Sequence, residues 1–236
     1  MCYTEVMKNC LLKLKIYKNG FTLAEVLITL VIIGVVAALT IPNLINKTNR
    51  EELRTGLLKA QTVLSGSLEK FYAKNGYRLT PNEVYSGGNS YRLYKMIKPY
   101  FSIAKDCGAS NCVDCCSSSV YKTYSGSNAG SGVQQYLDDG QFIINDGMTI
   151  FMENQAGSSN VYLAVDTNGY EKKPNKTGYD LFFFQMNDDG YLVPMGAEGT
   201  DFSQNNYCSK TSTDSRNGMG CTAKALNDAN YFKNLP

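Results

Sequence analysis

The sequence predicts an α+β fold, in which a long N-terminal helix packs on a C-terminal antiparallel β-sheet. An apolar run extends from Phe21 to Ile41, and an amphipathic pattern follows it to about Lys74. Alternating apolar segments bounded by turn residues begin at Gln141. About 20 apolar residues are enough to cross a bilayer as a helix, so the first half of the helix is predicted to span a membrane. The second half needs a sheet to cover its apolar stripe.

The composition excludes several classes of function. The 236 residues carry a formal net charge of +2, so bulk charge points to no nucleic-acid partner. The chain has no histidine, which removes Ser-His and Cys-His nucleophilic arrangements and histidine-ligated metal sites. Its 17 tyrosines and 21 glycines are typical of an exported, loop-rich domain. We therefore expect no enzymatic activity.

The first 20 residues are basic, because Lys8, Lys13, Lys15 and Lys18 outnumber Glu5. Lysines directly before an apolar span place the N-terminus in the cytoplasm and the remainder outside. Two simpler interpretations are a secretory signal peptide, whose A-x-A-like cleavage site residues 37–39 match only weakly, and an unprocessed membrane anchor.

Neither of these interpretations explains Glu25. It is the only charged residue between Phe21 and Asn46. A carboxylate at the centre of a bilayer costs about 2.5–3.5 kcal/mol on insertion scales, so an intramembrane acid calls for a partner. A cut between Gly20 and Phe21 would create an α-ammonium four residues before Glu25. That amine would neutralise Glu25 in the same chain or in a neighbouring molecule.

Residues 18–45 resemble the N-terminal signal of type IV pilins and type II secretion pseudopilins. The resemblance rests on Gly20-Phe21-Thr22-Leu23-Ala24-Glu25, the apolar helix and Pro42. It implies cleavage after Gly20 by a membrane aspartic prepilin peptidase and N-methylation of the new terminal Phe21. It also implies that Glu25 guides the subunit into a filament and that the helix bends at Pro42.

The same resemblance implies the organisation of a pilin-like chain: a leader at 1–20, a membrane and filament-core helix at 21–41, an amphipathic half at 42–76 and a globular head at 77–236. The implied partners are the prepilin peptidase and N-methyltransferase, other pilin or pseudopilin subunits, the inner-membrane assembly machinery and membrane lipid. The protein would cross the bacterial inner membrane once, with its head outside the cytoplasm, and then enter a pilus or pseudopilus. An alternative is a membrane-anchored head that binds glycan or DNA and uses the signal only for export.

Strand patterns are confined to the C-terminal half. QFIIN and MTIFME flank the turn Asp146-Gly147, and NVYLAVD, DLFFFQM and a short edge segment YLVP follow. They predict an antiparallel meander of four strands with a short edge. The region VDTNGYEKKPNKTGYDLFFF…DDGYLVPMG also resembles the C-terminal part of many pseudopilin-like proteins. Residues 77–140 predict only one short helix, within Ser90–Phe101.

Six cysteines follow the leader: Cys107, Cys112, Cys115, Cys116, Cys208 and Cys221. An even number in an exported domain predicts disulfides, and six cysteines allow 15 connectivities. The pilin resemblance implies that Cys208 pairs with Cys221, which leaves the other four to pair among themselves. Adjacent Cys115 and Cys116 are expected to take separate partners. A four-thiolate zinc site is the alternative for the 107–116 cluster.

Acidic and tyrosine residues offer weaker candidate sites. Asp166 and Asn168, with Asp180, offer oxygen ligands to calcium, although Asp and Asn beside glycine also form turns. The adjacent Asp138 and Asp139 would point to opposite faces of a strand, so we expect no acid dyad there. A final group of tyrosines would either stack on nucleobases or fill the core of the head: Tyr91, Tyr94, Tyr100, Tyr121 and Tyr124.

Overall fold

A computed structural model describes residues 20–85, 91–109, 115, 121–154 and 160–236. The chain divides into two compact units, with the boundary between Asn46 and Lys47. The first helix, α1 (Leu23–Asn75), crosses this boundary and contains Pro42. In the N-terminal unit the helix leaves its large apolar side chains exposed, including Leu30, Ile33 and Leu39.

The C-terminal unit contains a six-stranded antiparallel sheet in the order β1-β2-β3-β4-β5-β6. Its strands are β1 (Ile103–Gly108), β2 (Gln141–Ile144), β3 (Thr149–Asn154), β4 (Val161–Asp166), β5 (Leu181–Met186) and β6 (Leu192–Pro194). The predicted α+β class is confirmed, and β2–β5 with the short edge strand β6 form the predicted meander. Each strand pairs with the next along the chain. Short turns such as Asp146-Gly147 join β2 to β3 and β5 to β6, whereas longer segments connect β1 to β2 and β4 to β5.

Strand β1 was not predicted. Its residues IAKDCG show no regular alternation of apolar and polar side chains, and three successive residues of the strand are exposed. Its pairing with β2 is also irregular, with register shifts between Ile103 and Lys105 and between Asp106 and Gly108. Such bulges are typical of edge strands, and they remove the period-2 pattern on which a sequence prediction depends.

The remaining helices are short. They are α2 (Pro81–Tyr85), α3 (Arg92–Ile97), α4 (Gly130–Gln134), α5 (Gln204–Tyr207) and α6 (Thr222–Asn227). The helix predicted within Ser90–Phe101 is present as α3, which continues into the 3₁₀ turn Lys98–Tyr100.

The second half of α1 packs on one face of the sheet, as its amphipathic pattern predicts. Its buried stripe recurs at three- and four-residue spacings: Leu57, Ala60, Leu64, Leu68 and Phe71. The strands pack one set of alternating side chains against this stripe, and the set includes Ile150, Leu163 and Phe182. This contact forms the larger of the two cores that the described residues build.

The opposite face of the sheet is also covered. Phe151, Ala164 and Phe183 alternate with the first set and form a second core with residues from 121–137 and 195–219. Strands β3, β4 and β5 are therefore buried along their whole length. The C-terminal segment is anchored to this face by Thr222, whose hydroxyl accepts a hydrogen bond from the Phe183 amide at 3.0 Å.

Candidate functional site: the start of the first helix

The Gly20–Phe21 peptide bond lies directly before the first helix. Residues 20–22 are not helical, and Phe21 is 86% exposed. A Cβ added at Gly20 would meet no atom within 4 Å. Packing in this structure therefore does not require glycine at position 20. The junction is exposed and non-helical, which suits binding in the cleft of a peptidase.

Thr22 and Glu25 form a capping box at the start of α1. The Glu25 carboxylate accepts hydrogen bonds from the Thr22 backbone amide and from the Thr22 hydroxyl, both at 2.8 Å. In return, the Glu25 amide donates to the Thr22 hydroxyl at 3.3 Å. The first amides of a helix have no intrahelical acceptor, and this Thr-x-x-Glu arrangement supplies one. Sequence analysis missed this role of Glu25, although the spacing Thr22 to Glu25 carries the signal.

The capping box uses hydrogen bonds but leaves the charge of Glu25 without a cationic partner in its segment. No lysine or arginine occurs between Phe21 and Asn46. The most apolar 18-residue window of α1 is long enough to cross a membrane, and none of it is buried within the chain. The described part of this unit therefore combines an exposed apolar helix with one carboxylate at its start.

Two disulfides lie within the described part of the head. Cys208 bonds to Cys221, with their Cα atoms 4.9 Å apart, and Cys107 bonds to Cys115. The first pair is the one that the pilin resemblance implies. The second lies within the 107–116 cluster, and two cysteines joined to each other are not available as thiolate ligands for zinc. Cys112 and Cys116 lie outside the described residues.

The predicted calcium ligands Asp166 and Asp180 are both fully buried. The Asp166 carboxylate accepts from the Tyr121 hydroxyl at 2.8 Å and from the Asn168 amide at 3.3 Å. The Asp180 carboxylate accepts from the backbone amides of residues 175 and 176, both at 2.7 Å. Each of the four carboxylate oxygens thus has a protein donor, while the side-chain oxygen of Asn168 is buried without one. These hydrogen bonds hold both carboxylates within the folded loop, and calcium binding there stays a prediction.

Burial favours the protonated, neutral form of these two carboxyl groups. Burial, and then the charge of Asp180, raises the pKa of Asp166 to about 8. Burial likewise raises the pKa of Asp180 to about 6, against the opposing effect of its backbone donors.

A second acidic group corrects the expectation for Asp138 and Asp139. These residues precede β2 in a turn, not a strand, and their carboxylates lie with that of Glu153 within 4.8 Å of one another. Burial, and then the charge of Asp139, raises the pKa of Glu153 to about 9. The sequence gives little sign of this cluster, because Glu153 reaches it only through the pairing of β2 with β3.

Three of the tyrosines proposed as a stacking surface are in the core. Tyr94, Tyr121 and Tyr124 are at most 6% exposed. Their rings pack against neighbouring side chains and cannot stack on a base or sugar in the folded head.

Comparison with known proteins identifies the N-terminal segment. The family model described as the prokaryotic N-terminal methylation motif matches residues 16–41. No curated protein and no solved structure matches the chain. The matched residues include the exposed junction, the capping box and the apolar part of α1, which together form the signal typical of type IV pilins and pseudopilins.

Proposed function

We propose that this protein, which contains the N-terminal methylation motif, is the precursor of a filament subunit. The precursor is cut after Gly20, and the new N-terminal Phe21 is methylated. The observation that carries the proposal is the position of the motif in the structure. It spans an exposed, non-helical Gly20–Phe21 junction, followed directly by an apolar helix that none of the described residues covers.

The exposed apolar helix has two environments in turn. Before assembly it lies in the inner membrane, with the head outside the cytoplasm, as the lysines of the leader favour. In the filament the same side chains pack against those of neighbouring subunits. Prepilin peptidase, other pilin or pseudopilin subunits and the inner-membrane assembly machinery are the partners that this route requires.

Glu25 and Pro42 have separate roles in this proposal. Removal of the leader creates an ammonium at Phe21, and the Glu25 carboxylate pairs with such an ammonium on a neighbouring subunit to set the register. Pro42 lacks an amide hydrogen and weakens the helix at the end of the apolar run, where a bend is favoured.

We place a type II secretion pseudopilus first and a type IV pilus second. The support for this order is the resemblance of residues 165–196 to the C-terminal part of pseudopilin-like proteins. The head is proposed to act structurally, without catalysis. Its acidic loop is proposed to need no metal, because the carboxylates of Asp166 and Asp180 already have protein donors.

Mass spectrometry of the mature N-terminus tests the proposal. The chain, purified from a bacterium that expresses a prepilin peptidase, is expected to begin at Phe21 and to carry one added methyl group. The same chain from cells lacking the peptidase should keep residues 1–20. An intact Met1 in the presence of the peptidase, or a cut near Ala38, would refute the proposed processing.

A further inference from the structure

We propose that a ring of basic side chains at the start of the head binds the anionic phospholipid surface of the membrane before the subunit is assembled. The ring, called here the basic collar, consists of Lys47, Arg50, Arg54, Lys172 and Lys173. This inference rests on the proposed membrane anchoring and names a lipid class and residues that contact it.

The first three members of the basic collar share one face of α1. Lys47, Arg50 and Arg54 are spaced by three and four residues, which places them on neighbouring turns of one side of the helix. All three are exposed, and none forms an ion pair within the described part of the chain. Arg50 and Arg54 stand four residues apart, a like-charge spacing that destabilises a helix unless an anion is near.

The other two members reach the opposite side of the same helix. Lys172 forms an ion pair with Glu52, which lies two residues after Arg50 and so about 200° around the helix. The same loop contacts the helix again at Gly56, where an added Cβ would lie 3.1 Å from the Thr167 side chain. Lys173 is exposed beside Lys172. The cations therefore lie on two sides of this part of α1, an arrangement that fits an extended anionic surface better than a single-ligand pocket.

Chain length keeps the collar close to the bilayer. Lys47 follows Ile41, the last residue of the apolar run, by six positions along the chain. Even fully extended, this stretch spans only about 20 Å. Long lysine and arginine side chains extend toward headgroups while their stems remain on the protein. Clusters of such residues beside a membrane span are attracted to anionic lipid.

Nearby acids reduce the positive charge of the collar without cancelling it. Glu52 is paired with Lys172, and the two unpaired acids of this region are Glu51 and Glu171. They face four cations that have no ion pair within the described residues: Lys47, Arg50, Arg54 and Lys173. Basic residues on the exported flank of a span oppose the orientation that the leader lysines favour, so their presence calls for a role at that surface.

Photo-crosslinking in proteoliposomes tests the inference. The full chain is reconstituted in phosphatidylcholine vesicles that contain a trace of photoactivatable phosphatidylglycerol or, in parallel, photoactivatable phosphatidylcholine. We expect labelling of the collar peptides to be about ten-fold higher with the anionic lipid, since each cation near the surface contributes about a five-fold preference and the acids oppose part of it. The preference should be lost as salt shortens the screening length from about 10 Å at 0.1 M to about 3 Å at 1 M.

Matched variants locate the effect. One variant neutralises the helical face (K47Q, R50Q and R54Q), a second neutralises the loop (K172Q and K173Q), and a control removes three exposed lysines elsewhere on the head (K70Q, K95Q and K233Q). The first two are expected to lose most of the anionic preference, and the control to keep it.

Several results would overturn the inference. They are equal labelling by the two lipids, an equal loss in the control, and competition by inorganic phosphate beyond that of chloride at matched ionic strength, which would indicate a free-anion site. Binding of an acidic protein through the collar without lipid preference would also overturn it. If alkaline carbonate extracts the chain from cell membranes, the proposed membrane anchoring itself fails, and this outcome is separate from the lipid comparison.

Discussion

Replacing Glu25 with glutamine separates two roles that its position allows. The capping box needs only an acceptor, and glutamine supplies one at this position. The proposed pairing with the ammonium of a neighbouring subunit needs the negative charge. In contrast, replacing Thr22 with valine keeps the charge and the side-chain shape but removes the hydroxyl that donates to Glu25 and accepts from its amide.

The expected magnitudes of the two changes differ. Loss of an N-cap hydroxyl costs about 1 kcal/mol, which is about a five-fold effect on an equilibrium. Loss of one member of an ion pair in an apolar filament core costs about 3–5 kcal/mol, because the remaining charge stays buried. The Glu25→Gln variant should therefore assemble at least about a hundred-fold less well, and the Thr22→Val variant about five-fold less well.

The assay is the amount of mature subunit in sheared filaments, relative to the amount of mature subunit in whole cells. Normalising to mature chain removes any effect of Thr22 on cleavage. Mass spectrometry of each variant checks that the chain still begins at Phe21. Filament incorporation of Glu25→Gln within five-fold of the unaltered protein would refute the pairing role. Equal defects in the two variants would also contradict the pairing role, because loss of the charge would then matter no more than loss of one capping hydroxyl.

Three further predictions concern the head. The Cys208–Cys221 disulfide joins residues 13 apart, so its loss in the C208A/C221A variant should lower the free energy of unfolding by about 3 kcal/mol. The melting temperature, measured by circular dichroism, should fall by about 6–12 °C, and an unchanged value would contradict this prediction. Burial and Asp139 raise the pKa of Glu153 to about 9, so the fold favours its protonated form and the unaltered protein should lose stability as pH rises from about 4.5 to about 9. Thermal melts of Glu153→Gln should show a weaker decline over that range, and parallel curves would refute the argument. If the loop at Asp166 bound calcium, calcium at a hundred times its Kd would raise the free energy of unfolding by about 2.7 kcal/mol. We expect instead that calcium and EDTA give the same melting temperature. A higher melting temperature in calcium would overturn the proposal that this loop needs no metal.

The elements that the sequence predicts well are those with a regular period. The stripe from Leu57 to Phe71 and the alternation in β2–β5 each identify an element and the face that it buries. Strand β1 has neither property, since bulges interrupt its register and exposed residues fill its centre. The cover on the far face of the sheet was also missed, because 121–137 and 195–219 contain loops and short helices whose apolar residues have no period.

Contacts between distant parts of the chain explain the remaining failures. Glu153 meets Asp138 and Asp139 only because β3 pairs with β2, and the spacing along the chain gives no sign of it. Tyr121 donates to Asp166 across 45 positions, a contact that the spacing along the chain does not reveal either. Contacts between residues close in sequence are easier to predict, since the spacing from Thr22 to Glu25 itself indicates a capping box.

The two units differ in how fully folding accounts for their residues. In the head, the apolar stripe, both described disulfides and the buried carboxylates of Asp166 and Asp180 have partners within the same chain. At the N-terminus, among the described residues, a Cβ added at Gly20 would meet no atom within 4 Å, and Phe21 and the apolar helix are exposed. The segment that contains Glu25 has no lysine or arginine. Residues that break the rules of a self-contained fold are expected where function depends on other molecules. A peptidase, a membrane and a neighbouring subunit would each satisfy one of these features, which is why the short N-terminal segment carries most of the functional argument.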